Sequence, residues 1–87
     1  MTNQQMESPE PREVRVRLIP AVGFRLEFPG ALHHPFVTED DLSEHYEQVL
    51  ADAARLELFI PDCAPLVIIA TEPDEATRRI EVPPAPT

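Results

Sequence analysis

The chain has no lysine and no tryptophan, only two glycines, and a single cysteine in 87 residues. Each scarcity removes a class of chemistry. Without lysine there is no Schiff-base amine and no phosphate-loop lysine. Gly23 and Gly30 stand alone, so no glycine-rich cradle for phosphate can be built. Cys63 has no second thiol for an internal disulfide, so nothing in the chain calls for an oxidising compartment. The opening MTNQQMESPEP carries neither a basic nor an apolar signal region. The longest apolar run, 66–70, is far too short to span a bilayer. The expected location is the cytoplasm, or a particle assembled there.

What is present is acidic and proline-rich. The net charge is −9, and 11 residues are proline. Such a charge repels nucleic-acid phosphates and anionic membranes, so neither is an expected partner. The all-arginine choice of base fits a GC-rich genome, that of a bacterium or its virus. Apolar residues make up 43%, enough for one folded domain. A domain this small buries only about 60% of its unfolded surface, which leaves few residues to line a deep substrate cavity. No small-molecule substrate or cofactor is expected.

The pattern divides the chain into a polar arm at 1–12, one domain at 13–82 and a proline-rich tail at 83–87. Residues 13–19, EVRVRLI, alternate with a period of two, with Val14, Val16 and Leu18 on one side and Arg15, Arg17 and Ile19 on the other. Residues 24–28, FRLEF, alternate again after Pro20–Gly23, which predicts a hairpin with a loop of about four residues. Residues 31–37 show no period and are taken as loop. Thr38 followed by three acids is a helix start, with Val37 and Leu42 at hydrophobic-staple spacing. The helix is predicted over about 39–57, with Leu42, Tyr46, Val49, Leu50, Ala53 and Leu56 on its apolar face. Asp40, Glu44, Glu47 and Arg55 fall opposite. Pro61 ends it. Residues 66–71, LVIIAT, form an uninterrupted apolar strand, and 77–82, TRRIEV, a polar edge strand. The expected fold is α+β, in the order ββαββ: a small four-stranded, mainly antiparallel sheet with one helix on one face.

Candidate catalytic and metal-binding groups do not assemble into a site. His33 and His34 are adjacent in a loop, and no histidine or cysteine pair has ligand spacing. His45 follows Asp41 by one helical turn, an orientation used for general bases, yet it borders the apolar stripe, where it can seal a core edge. Cys63 lies beside Asp62, which disfavours a thiolate. Arg15, Arg17 and Arg25 lack the aromatic pattern of a nucleic-acid-binding sheet. The expectation is a protein that is no enzyme and holds no metal.

Two features point to a protein partner or to homo-oligomers instead. One helix can cover one face of the sheet, so Val67 and Ile69, which point away from Ile68, are expected to form an uncovered apolar patch. Charge is also polarised. Residues 39–62 hold eight acids and one arginine, whereas 12–25 hold four arginines and one glutamate. Asp40, Glu44 and Glu47 on the helix, and Arg15, Arg17 and Arg25 on the strands, are therefore candidate contact residues with Val67 and Ile69. The expected function is a non-catalytic interaction module, the small subunit of a larger assembly such as a minor structural protein of a bacterial virus. The alternative is an acidic inhibitor or regulator that mimics nucleic acid and fills a basic groove of its target.

Overall fold

The computed structural model describes residues 10–84. Of the expected arm at 1–12, residues 1–9 lie outside the described residues, as do residues 85–87 of the expected tail at 83–87. Alternation carries the chain up β1 (Arg12–Ala21) and back down β2 (Gly23–Glu27) in an antiparallel hairpin. The expected four-residue loop shrinks to Val22 alone, because β1 runs on through Pro20 to Ala21, which pairs with Gly23. Gly23 has φ +90°, and a Cβ there would overlap the Val37 carbonyl oxygen, so both backbone conformation and space require glycine.

The segment expected to be loop contains a fifth strand, β3 (Phe36–Val37), paired antiparallel to β2. Two residues are too few to show a period in sequence. Helix α1 (Glu39–Leu58) starts where Thr38 places it: the Thr38 side chain accepts from the Asp41 N–H at 3.0 Å. Such a cap is worth about 1 kcal/mol. The helix is interrupted at His45, whose backbone (φ −139°, ψ 49°) is not helical, although no proline or glycine is near. The far end is held by Arg55, which donates from Nη1 to the carbonyls of Pro61 at 2.5 Å and Ala64 at 2.9 Å. A cation here also opposes the negative end of the helix dipole.

Strand β4 (Leu66–Thr71) then enters beside β1 and parallel to it, and β5 (Thr77–Val82) pairs antiparallel with β4. The sheet order is β3-β2-β1-β4-β5. The expectation of four mainly antiparallel strands is corrected on both counts: the described residues form five, and the sheet is mixed. The physical reason is the helix. It carries the chain back along the sheet before β4 begins, so β4 runs in the direction of β1, as crossover connections require.

Helix and sheet close over one core. Val14, Val16, Leu18, Leu26, Phe28, Leu66, Ile68, Ala70 and Ile80 meet Leu42, Leu50, Ala51 and Ala54 of α1. Burying each large aliphatic side chain contributes roughly 1.5–3 kcal/mol. Leu56, expected on the apolar face, is instead 72% exposed. Ala54, about half a turn from it around the helix, is buried in the core instead.

Candidate interaction interface

The strand pairings lay out the face of the sheet opposite α1 in rows. Across β1, β4 and β5, Arg15 stands beside Ile69, and Ile69 beside Arg79. One row along, Glu13 stands beside Val67, and Val67 beside Glu81. Further up, Arg17 pairs with Thr71 on one side and Glu27 on the other, and Ile19 pairs with Arg25, which pairs with Phe36. At the opposite end, Pro11, Pro65 and Pro83 line a shallow depression together with Val67, Arg79 and Glu81. No helix or described loop covers this open face.

The face is not the bare apolar patch expected from the sequence. Val67 is only 7% exposed, and Ile69 is half-buried, although among the described residues no second layer lies on them. They are flanked on both neighbouring strands by arginines and glutamates, a type of side chain whose aliphatic stem can shield apolar neighbours while its charged end stays in water. Those charges pair along the strands: Arg15 with Glu13 at 3.2 Å and Arg79 with Glu81 at 3.4 Å. Arg25 lies 3.8 Å from Glu27, and Arg17 reaches Glu75 at 3.2 Å. All are solvent-exposed pairs, which stabilise weakly. They do set a pattern of sign over the face.

Of the candidate contact residues, Arg15, Arg17 and Arg25 therefore share the open face with Val67 and Ile69. Sequence reasoning missed three that lie with them: Glu13, Arg79 and Glu81. Their alternation was legible, but which strand lay beside which was not. Asp40, Glu44 and Glu47 are exposed on the outer side of α1, across the molecule from the arginines. Among the described residues, none of these three acids is paired with an arginine; Glu44 lies 4.0 Å from His45 Nε2.

The helix and the β4–β5 hairpin are joined by a polar seam. Tyr46 donates its hydroxyl to Glu72 Oε2 at 2.5 Å, and the Arg78 guanidinium lies 4.4 Å from the centre of the Tyr46 ring. Burial pushes the Tyr46 hydroxyl well above its ordinary range, and its hydrogen bond to Glu72 and the charge of that carboxylate push the same way. Arg78 opposes them.

The remaining candidates stay apart. His33 is exposed, His34 is half-buried in the loop before β3, and His45 and Cys63 are exposed elsewhere. Among the described residues, no three of His, Cys, Asp and Glu are grouped so as to hold a metal ion. No described helix is long and apolar enough to cross a membrane. The largest exposed apolar side chains, Val22, Leu32, Phe36, Leu56 and Phe59, are scattered over a turn, a loop, an edge strand and the helix end. Compared with family models, with curated proteins and with solved structures, the chain matches none of them.

Proposed function

We propose that this chain is a non-catalytic protein-interaction module, a small subunit of a larger assembly, that docks through its open sheet face. A particle of a bacterial virus is one such assembly. The observation that carries this reading is the second face of the sheet, which no described element covers and where Val67 and Ile69 sit at the centre of a ring made by Glu13, Arg15, Arg79 and Glu81. An apolar centre with a charged rim is the anatomy of a contact surface. Ile69→Asp tests it. The new carboxylate falls between Arg15 and Arg79, so the isolated chain should stay folded, destabilised by little more than the roughly 1 kcal/mol of apolar burial given up at this site. Buried against a partner, the same carboxylate costs several kcal/mol. The variant should therefore lose a partner that the wild-type chain retains in fixed stoichiometry on purification. Undiminished co-purification would overturn the assignment of this face.

A second reading rests on a different observation, the acids of α1 that lack arginine partners. They suit an inhibitor that occupies a basic, nucleic-acid-binding groove. Binding of that kind would weaken steeply with salt and be lost in a variant with Asp40, Glu44 and Glu47 changed to Gln. Ile69→Asp would leave it intact, so the two readings separate.

A further inference from the structure

The rows on the open face have a symmetry that identifies an occupant. The Arg15–Ile69–Arg79 row is positive at both ends and apolar in the middle. The next row, Glu13–Val67–Glu81, is negative at both ends and apolar in the middle. Imagine a second open face laid on the first and turned by 180° about an axis that crosses the strands midway between the two rows. β1 then lies over β1, β4 over β4 and β5 over β5. Arg15 meets the partner's Glu13, Ile69 meets the partner's Val67, and Arg79 meets the partner's Glu81. Each contact occurs twice, as two-fold symmetry demands. The other in-plane axis, along β4, would set Arg15 on the partner's Arg79 and Glu13 on the partner's Glu81, with every charge against its like. The pattern of sign therefore selects one arrangement.

We infer that the open face pairs with the open face of a second copy of this chain, in a two-fold dimer whose axis runs across the strands between the Arg15 and Glu13 rows. This inference rests on the proposed use of the open face as a contact surface, and names its occupant. Two sheets stacked this way lie about 10 Å apart with their strands nearly aligned, a distance that opposing Arg and Glu side chains can bridge. Charge elsewhere permits it. The open face carries Arg15, Arg17, Arg25 and Arg79 against Glu13, Glu27 and Glu81, close to balance in a chain of net charge −9. The excess acid, Asp40, Glu44 and Glu47 included, is on the helix side, away from the contact.

The size of the face fixes the strength. Four strands about 4.8 Å apart and about six residues long give a footprint on the order of 400 Å². That is roughly half of what a standard interface buries per partner, so the dimer is weak and depends on concentration. Its charge pairs lie toward the rim, so salt weakens it further.

The test uses β1 alone, two strands away from the exposed edge of β5. Arg15→Glu makes positions 13 and 15 of β1 both negative, and Glu13→Arg makes both positive. Wild-type chain should dimerise reversibly in sedimentation equilibrium at concentrations up to about 1 mM, the range in which small interfaces are populated. Each variant alone should dimerise at least about ten-fold more weakly, because like charges then face each other. Mixed in equal amounts, the two should form a heterodimer that neither forms with itself. Circular dichroism and the denaturation midpoint check that both variants remain folded, and Arg15→Gln with Glu13→Gln gives a charge-neutral control that folds without either repulsion. A wild-type chain that stays monomeric to the highest concentration would overturn the inference. So would a dimer that both variants retain, or a mixture that fails to associate, since either places the contact elsewhere, as at the β5 edge. A monomeric chain that still loses a different protein partner on Ile69→Asp would overturn the dimer and leave the docking role of the face standing.

Discussion

The two faces of this sheet are built from the same strands and by opposite rules. Toward the helix, Val14, Val16, Leu18, Ile68, Ala70 and Ile80 are packed away from water by α1. Away from it, Val67 is nearly as hidden from solvent, with no second layer above it among the described residues and with charged neighbours on both flanking strands. Burial alone therefore does not identify a core. What separates the faces is the layer above them: on one side an apolar helix that cannot leave without unfolding the domain, on the other, among the described residues, no further element. Only the second kind of surface is available to a partner.

Adjacent residues on β4 sharpen this contrast most. Ile68, 0% exposed, points into the core, and Ile69 points out of it. Ile68→Ala should cost about 2–5 kcal/mol in urea denaturation, through lost transfer energy and the cavity left behind. Ile69→Ala should cost about 1 kcal/mol, since its side chain is only partly shielded to begin with. Equal losses at the two sites would mean that the open face carries as much fold stability as the core.

A smaller effect belongs to the packed side, at the seam where Tyr46 meets Glu72 and Arg78. The raised affinity of the Tyr46 hydroxyl for its proton means that the folded chain holds a proton which the unfolded chain releases near pH 10. Its contribution to stability is therefore complete below about pH 10 and declines as pH rises further. Denaturation midpoints measured from pH 8 upward should fall at the alkaline end, and Tyr46→Phe should remove that fall. A decline unchanged in the variant would assign it to other groups.

The smallest effect is a gain. Phe59 closes α1 in the left-handed region, φ 56° and ψ 46°, with its ring 90% exposed. A side chain in that conformation is strained, and little burial would be lost with it. Phe59→Gly should stabilise the chain by roughly 0.5–1 kcal/mol in the same denaturation assay, since glycine suits this cap. It should leave the association of the open face unchanged.

Local signals carried the elements, and pairings carried the rest. Thr38 with the acids after it marked the helix start, and the alternation of EVRVRLI and FRLEF marked the first hairpin. The direction of β4 was also present in the sequence. An uninterrupted LVIIAT run following a helix is how a parallel central strand is written. The strength of the hairpin signal favoured an antiparallel sheet instead. β3 was illegible because two residues have no period, and because the contacts that make Phe36–Val37 a strand come from β2. For the open face, Arg15, Arg17, Arg25, Val67 and Ile69 could be found from alternation. Glu13, Arg79 and Glu81 could not be joined to them without the register that sets Ile69 between Arg15 and Arg79.

The difference between the faces is most directly tested by methyl NMR of the wild-type chain during dilution from about 1 mM, across the range expected for so small an interface. Resonances of Val67 and Ile69 should move with concentration, while those of Ile68, Ile80 and Leu50 should stay in place. If no methyl moves over the whole range, or if Leu56 at the helix end moves and Ile69 does not, the open face is not the contact surface.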